Sequence, residues 1–468
     1  MRNYRQQFAG KKITVMGLGL LGRGVGYTKF LAECGADLIV TDLKTKEQLS
    51  TSLKELSKFP DIKYVLGEHR IEDFRGRDMI IKSAGVPLDS IYIAEAKKER
   101  TPIEMDVSLF ANIAPEVMII GVTGTRGKSM TTTLIYKILK DNEKLLGRNV
   151  YVGGNLRGLA TLPLLKKIQS KDILVCELDS WQLQGFGGAH ISPHISVFTS
   201  FMPDHMNYYN NSMEKYFEDK ANIFKYQNKN DILIIRPGMK KFIKRKDVKG
   251  KFIVINTKET EKWKFNVPGI HHLENMTCAV VVAKELGIPE ANIKKAIEGF
   301  KDLEGRLQLL KIYKNIKIYN DNNATTPEAT SADIEALALN SPKQGQAEKS
   351  QPNIVLICGG SDKNLPLDNF VKTVNKYCKA VVLIPGTGTE KLIKNYKIRI
   401  KNEECKDIKQ AVKTALGLAS RGDTVLFSPA FASFGVFNNE YERNDLFMKI
   451  IKGLPAHNAS SKADAGGK

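Results

Sequence analysis

The sequence predicts an α/β fold arranged as three consecutive units, each a parallel sheet flanked by helices. Two observations lead there. Short β-branched runs ending in Gly, Ser, Thr or Asp alternate with helical stretches along most of the chain, the pattern of strand–helix–strand units. These runs fall into three groups, and 468 residues are about three times the ~150 of an average domain.

Taken in order, ITVMGLG (13–19), DLIVTD (37–42) and DMIIKSAG (78–85) form the first group. VMIIGVTG (117–124), DILVCELDS (172–180) and ISVFTS (195–200) form the second, and IKIYND (316–321), NIVLICGGSD (353–362), AVVLIPG (380–386) and DTVLFSPA (423–430) the third. Polar or proline-bearing stretches near Ala111–Pro115 and Lys301–Gly305 separate them. The expected domains are therefore 1–112, 113–304 and 305–455. Asn340–Asn353 is polar and reads as a surface loop, and the tail 456–468 has too few apolar residues to pack and is expected to be disordered.

With 42% hydrophobic and 26% charged residues, the composition is that of a folded globular protein. The net charge of +20 favours anionic partners such as nucleotides, nucleic acid or a membrane surface, although much of it can be solvated lysine. The six cysteines show no CxxC pair or zinc spacing and read as reduced, core-filling thiols. The N-terminus lacks the apolar core of a signal peptide, and no apolar run approaches the ~18 to 20 residues of a membrane span. A cytoplasmic location is expected by default.

Three motifs carry chemistry. In VMIIGVTGTRGKSMTTTLIYKIL a buried strand runs into Gly124-Thr125-Arg126-Gly127-Lys128-Ser129 and then a helix beginning near Met130. Glycines let amides approach phosphate oxygens, the helix N-terminus adds positive dipole, Lys128 reaches the terminal phosphates and the Ser129 hydroxyl can ligate Mg²⁺. The strict P-loop pattern has Gly where this chain has Val122. Near the N-terminus, Gly17-Leu18-Gly19-Leu20-Leu21-Gly22 follows a strand, and Asp42 closes the next one. A diphosphate can sit on these amides while the acid meets a ribose, which describes NAD and a UDP-sugar equally well. The third cluster comprises Gly153-Gly154-Asn155, Glu177 at a strand tip, Asp204-His205, and Lys220 on the helix SMEKYFEDKANIF. A carboxylate beside a P-loop suits a Mg²⁺ ligand, and Glu177 is the first choice.

In this order GLGLLG, SAGVP, GVTGTRGKS, GGN, ELDSWQL, DHM, EDKANIF, HHLEN, EGR, YNDNNATTPEAT, GGSDK and SPAFASFGVFNNEYER together resemble the Mur ligases of peptidoglycan precursor synthesis, closest to the MurD-type branch. The resemblance runs to about residue 452. It implies a Rossmann-like UDP-binding domain, a central P-loop ATPase domain and a Rossmann-like C-terminal domain for the amino acid. It also implies an ATP-dependent ligase that adds D-glutamate to UDP-N-acetylmuramoyl-L-alanine through an acyl phosphate, acting as a monomer without nucleic acid. The UDP substrate would lie near Leu20, Leu21, Asp42, Gly85 and Asn155. ATP would lie on Gly124, Thr125, Arg126, Gly127, Lys128, Ser129 and Met130, with Asn275, Arg306 and Asp321. Two Mg²⁺ ions would be held by Ser129 and Glu177 and by His205 and Lys220, the lysine being carbamylated. Thr325, Lys363 and Ser433 would hold the amino acid. Lys128, Glu177, His205, Lys220 and Arg306 would carry the catalytic roles.

Departures from the family pattern gather around the amino acid. Asn323 stands where D-glutamate-adding members commonly carry Lys, Gly305 where a His precedes the Arg, Asp179 where a Ser is usual, and Glu440 near a position often aromatic. Addition of L-glutamate is accordingly the alternative. An NAD-dependent oxidoreductase would explain GLGLLG and Asp42 but leaves Lys128-Ser129, Glu177, His205 and Lys220 without a role. A nucleic-acid-dependent ATPase would explain the charge, but no recognition motif accompanies it.

Overall fold

The computed structural model describes residues 4–339, 352–437 and 439–455. The expected disordered tail, and all but the end of the expected loop at 340–353, lie outside the described residues. Three sheets form.

The first contains β1 (Lys12–Met16), β2 (Asp37–Asp42), β3 (Lys63–Leu66), β4 (Met79–Lys82) and β5 (Ile103–Glu104), all parallel in the order β3-β2-β1-β4-β5. The second contains β6 (Met118–Thr123), β7 (Val150–Gly154), β8 (Ile173–Glu177), β9 (Ile195–Phe198), β10 (Ile232–Ile235) and β11 (Lys251–Val254), also parallel, in the order β11-β10-β9-β6-β8-β7. Its central strands are buried on both faces, which is why ILVCE reads as a continuous apolar run and not as an alternation. In such sheets ligands gather at the carboxyl ends of the strands.

The third contains β12 (Gln308–Tyr313), β13 (Ile316–Asn320), β14 (Ile354–Gly359), β15 (Cys378–Ile384), β16 (Lys401–Glu404) and β17 (Thr424–Phe427), in the order β12-β13-β17-β14-β15-β16. One edge departs from the expected parallel pattern, because β12 and β13 form an antiparallel hairpin. At the other edge every residue of β16, KNEE, is exposed. Its charges discourage pairing with another chain and also erase the apolar signal by which a strand is read.

The chain divides into two compact units, Met1–Trp263 with Glu274–Ile297, and Lys264–Leu273 with Glu298–Lys468. The first two sheets thus share one unit. Its core is continuous from Phe8, Phe30 and Leu31 through Phe110 to Leu162, Leu174 and Phe198, all nearly inaccessible. Polar clamps fix the two sheets to one another. The Asp106 carboxylate accepts from the amides of Thr161 and Leu162 at 2.7 and 2.8 Å, and the Arg23 guanidinium donates to Asn155 Oδ1 at 2.7 Å. The six cysteines are all free and buried, as expected of structural thiols.

Candidate active site

β6 enters the middle of the second sheet, and its carboxyl end carries the loop Gly124–Gly127 and the helix Lys128–Asp141. Gly124 has φ +145° and Gly127 φ +89°. A Cβ at Gly124 would strike the Thr199 side chain, and one at Gly127 would strike Asn275 Oδ1. Glycine is required at both by backbone conformation and by space. Val122, in place of the strict motif's Gly, is a wholly buried residue inside β6, paired with Glu177 of β8 and Val197 of β9. The turn begins after it, so no glycine is needed there.

Lys128 folds over this loop, its Nζ donating to the carbonyls of Gly124 at 3.0 Å and Thr125 at 3.1 Å. The Arg126 amide is held by Ser200 Oγ at 2.8 Å, and its guanidinium lies 3.7 Å from Asp204. Ser129 occupies the first helical turn, and Met130 anchors that turn in the core. Asn275 is buried, its Oδ1 accepting from Thr131 Oγ1 at 3.0 Å and from Arg236 Nη2. Arg236 is a site residue that motif reading passed over. It is 7% exposed, pairs with Glu274 at 3.1 Å and packs its guanidinium against Gly127. Its only sequence signal is an Arg-Pro-Gly after an apolar strand.

Glu177 ends β8 beside β6, 4% exposed, and its Oε2 has no hydrogen-bond partner. A buried carboxylate oxygen left unsatisfied is costly, and a cation is the group that best repays it. Lys220, on the helix Met213–Ala221, is 1% exposed. Its Nζ reaches Gly124 O at 3.0 Å and lies 4.9 Å from the Tyr216 ring centre. Burial first, and then the charge of Lys128, hold Lys220 well below the ordinary lysine range, with Asp179, Asp204 and Asp219 opposing them only in part. His205 sits in the left-handed region at φ +55°, its ring 4.7 Å from that of Trp181 and its Nε2 3.8 Å from Asp204 Oδ2. Such conformations mark sites over-determined by their surroundings. Among the described residues no group of three or more His, Cys, Asp and Glu is arranged to hold a metal. The unsatisfied Glu177 Oε2 fits Mg²⁺ as part of a shell completed by phosphate oxygens.

At the carboxyl end of β1, Gly17 turns at φ +90°, where a Cβ would come 2.5 Å from Ser83 Oγ. The two oxygens of Asp42 accept from the amides of Gly19 and Lys44, each at 2.9 Å, and so shape the GLGLLG loop. Leu20 is 42% exposed, Leu21 partly buried, and Gly85 faces open space. Asn155 connects this side to the end of β8. It receives Arg23 through its side chain, and its amide donates to the Glu177 carbonyl at 2.7 Å. Asp179 takes the place of a family Ser as the N-cap of the helix Ser180–Gly188, closing a capping box with Gln182, a role either residue type fills.

The second unit gathers its candidates on the neighbouring strands β13, β17 and β14. Lys363 Nζ donates to Thr325 Oγ1 at 3.2 Å. Ser361 and Ala432 pair through both backbone bonds, which aligns the loop bearing Lys363 with buried Ser433. Asp321 accepts from the Leu307 amide at 3.1 Å. Next to it Asp333 is pushed well above the carboxylate range by burial and by Asp321, with Arg306 opposing. Two departures from the family pattern prove to be one feature. Asn323 Nδ2 donates to the Gly305 carbonyl at 2.9 Å, and Gly305 stands at φ +65°. Glu440 meets this loop through its carbonyl, which accepts from Asn322 Nδ2 at 2.9 Å.

Comparison with known proteins agrees with this geometry. Profiles described as "Mur ligase MurD-like, N-terminal domain", "Mur ligase middle domain" and "Mur ligase, glutamate ligase domain" match residues 11–104, 122–246 and 305–431. The chain is 33% identical to the UDP-N-acetylmuramoylalanine--D-glutamate ligase of Roseiflexus sp. (strain RS-1), over 95% of this chain and 99% of that protein. It is 35% identical to the like-named enzyme of Borreliella burgdorferi (strain B31), over 94% and 97%. Among solved structures, the UDP-N-acetylmuramate-alanine ligase MurC of Thermotoga maritima aligns with a TM-score of 0.62 at 19% identity, covering 94% of this chain and 99% of that one. The MurF ligase of Thermotoga maritima in complex with ADP aligns at 0.58 and 17%, covering 96% of each. At these identities the structural likeness speaks to the fold.

Proposed function

The chain belongs to the Mur ligase family, and on that premise we propose that it joins D-glutamate to UDP-N-acetylmuramoyl-L-alanine at the expense of ATP, releasing ADP and phosphate. The carrying observation is that the GLGLLG loop and the P-loop belong to one compact unit, in which Arg23 and Asn155 tie the first loop to Glu177 on β8, the strand paired with the one that carries the P-loop. A uridine sugar on the first can present its acid to a nucleotide on the second. The relatives named for D-glutamate support that isomer over L-glutamate.

A carboxylate is a poor acylating agent. Its oxygen attacks the γ-phosphorus, ADP leaves, and an acyl phosphate forms; the amine of glutamate then attacks the carbonyl carbon, phosphate leaves, and the surplus amine proton is lost. Both steps concentrate negative charge. The amides of residues 124–129 and the Lys128 ammonium stabilise it as preorganised donors, with Arg306 assigned the same work. Asn155 orients the acid. Thr325, Lys363 and Ser433 hold the amino acid, and Asn275 and Asp321 bear on the nucleotide. Mg²⁺ on Ser129 and Glu177 would neutralise phosphate charge, and a second ion would fall to His205 and Lys220.

Lys220 suits that second ion only as a carbamate. As a buried amine sharing one carbonyl with Lys128 it favours the neutral form, which is the form that adds CO₂. Carbamylation replaces a donor by an anionic oxygen ligand. We propose that the enzyme acts in the cytoplasm as a monomer; no helix among the described residues is long and apolar enough to cross a membrane. The mechanism is tested by ¹⁸O in the alanine carboxylate: the label passes to inorganic phosphate if an acyl phosphate forms, and its complete retention in the substrate or peptide product would refute that route.

A further inference from the structure

Two of the residues assigned to the nucleotide, Arg306 and Asp321, lie on adjoining segments of the second unit. Arg306 closes a tight turn, its amide donating to the Leu303 carbonyl at 3.0 Å. Asp321 directly follows β13 and accepts from the Leu307 amide at 3.1 Å. A further attachment between the two segments comes from a third, the helix Glu440–Lys452. On that helix Asn444, 4% exposed, donates from Nδ2 to Glu304 Oε1 at 2.6 Å and accepts at Oδ1 from Asn320 Nδ2 at 2.9 Å. Glu304 stands two residues before Arg306, and Asn320 one before Asp321. A single side-chain amide therefore bridges the segments that bear both residues. The helix is itself pinned to the same loop, because the wholly buried Arg443 donates through Nε to Asn322 Oδ1 at 2.8 Å and through Nη2 to the Asn322 carbonyl at 3.0 Å. Gly305 leaves room for this arrangement: a Cβ there would meet Asn323 Nδ2 at 2.6 Å and Asn444 Oδ1 at 3.4 Å.

We propose that Asn444 is a positioning residue for the phosphoryl-transfer step: by holding Glu304 and Asn320 at once, it sets where Arg306 stands relative to Asp321. The inference rests on the ligase reading, which assigns those two residues to ATP. Asn444 touches no reacting atom. Its bond to the Glu304 carboxylate is charge-assisted and therefore among the stronger kinds, and its own amide is buried, so a lost partner is not replaced freely by water. A charge-stabilising group moved by a fraction of an ångström to an ångström loses much of its effect on rate.

The bridge needs a donor at 444 and an acceptor at 304, so its polarity can be exchanged. In the full-length protein, Asn444→Asp keeps the acceptor for Asn320 but sets a second carboxylate against Glu304. The kcat/KM for ATP should fall by about tenfold or more, while the Kd for UDP-N-acetylmuramoyl-L-alanine, assigned to the first unit, stays within about twofold of the parent's. Glu304→Gln alone retains an acceptor and should cost less than about threefold. The double variant Asn444→Asp/Glu304→Gln restores the bond with donor and acceptor exchanged, and should return to within about threefold of the parent. Asn444→Leu offers neither group, so Glu304→Gln should not rescue it. Circular dichroism melts confirm that each variant is folded. An Asn444→Asp protein within about twofold of the parent in kcat/KM for ATP overturns the proposal. So does a double variant no better than Asn444→Asp, or equal rescue of Asn444→Leu, which would trace the effect to the charge of Glu304 and not to the bond. Those outcomes leave the ligase reading standing. A parent protein that releases no ADP with ATP, Mg²⁺, the UDP compound and either isomer of glutamate removes that reading, and this inference with it.

Discussion

The Nζ atoms of Lys128 and Lys220 converge on a single acceptor, the carbonyl oxygen of Gly124, each at 3.0 Å. Lys128 heads a helix at the rim of the site, whereas Lys220 is sealed beneath the loop. Two full charges so close in a dry setting are unfavourable, and the buried partner is the one that gives up its proton. One lysine remains the phosphate-facing cation and the other becomes an amine available for modification.

Lys128→Ala removes the cation that faces developing phosphate charge. ATP-dependent phosphate release with the muramyl substrate should fall by on the order of a hundredfold or more. Near-normal turnover would take Lys128 out of the phosphate cradle.

Lys220→Ala should be nearly inactive and partly restored by small carboxylates, and intact-mass measurement of the native active enzyme should show Lys220 carrying one CO₂. An unmodified Lys220 in fully active enzyme would contradict the carbamate.

Glu177→Gln keeps the size of the side chain and discards its charge. The Mg²⁺ concentration for half-maximal activity should rise by on the order of tenfold or more. An unchanged requirement would remove Glu177 from the ligand set.

Gly305 and Asn323 should behave as a pair. Gly305→His forces a side chain into φ +65° with its Cβ 2.6 Å from Asn323 Nδ2, a cost of about 1–2 kcal/mol in denaturant unfolding. Asn323→Lys removes the donor to the Gly305 carbonyl, about 1 kcal/mol. The double variant should lose less than the sum by roughly 0.5 kcal/mol or more, and strict additivity would mean the contact carries no energy.

Lys82 has a folded-state pKa pushed down to about 8 by burial, with Asp179 and Asp219 opposing. Because the folded value lies below the unfolded one, the native state sheds a proton that the unfolded chain keeps between pH 8 and about 10.5. The burial penalty is full below pH 8 and fades above it. Wild type should therefore gain on Lys82→Met by about 3 kcal/mol across that window, as read from urea unfolding at several pH values; a flat difference would contradict the shift.

Much of the site could be read before the fold was known, for reasons the fold makes plain. Gly124, Gly127 and Lys128 announce themselves because a phosphate loop needs those residue types at that spacing. Asp42 was legible in position, but its bonds to the Gly19 and Lys44 amides were not, since a carboxylate at a strand tip gives no sign of which backbone groups turn toward it. Arg236 was not legible, because what brings it to Gly127 is the order β10-β9-β6 in the sheet and not any local pattern. Lys82 ends an apolar strand with no motif to single it out, yet it is among the most buried side chains of the described residues. Gly305 and Asn323 looked like two independent departures until their contact across eighteen residues made them one.

The central claim is that a nucleotide on residues 124–129 activates the acid of a uridine muramyl substrate for attack by D-glutamate. The most direct measurement is ADP release by the full-length protein with ATP, Mg²⁺ and UDP-N-acetylmuramoyl-L-alanine, comparing D-glutamate, L-glutamate and no amino acid, with product mass read in parallel. Sustained ADP release with D-glutamate, matched by a product one glutamyl residue heavier, is the predicted result; ADP release indifferent to every amino acid, or driven by L-glutamate alone, would contradict it.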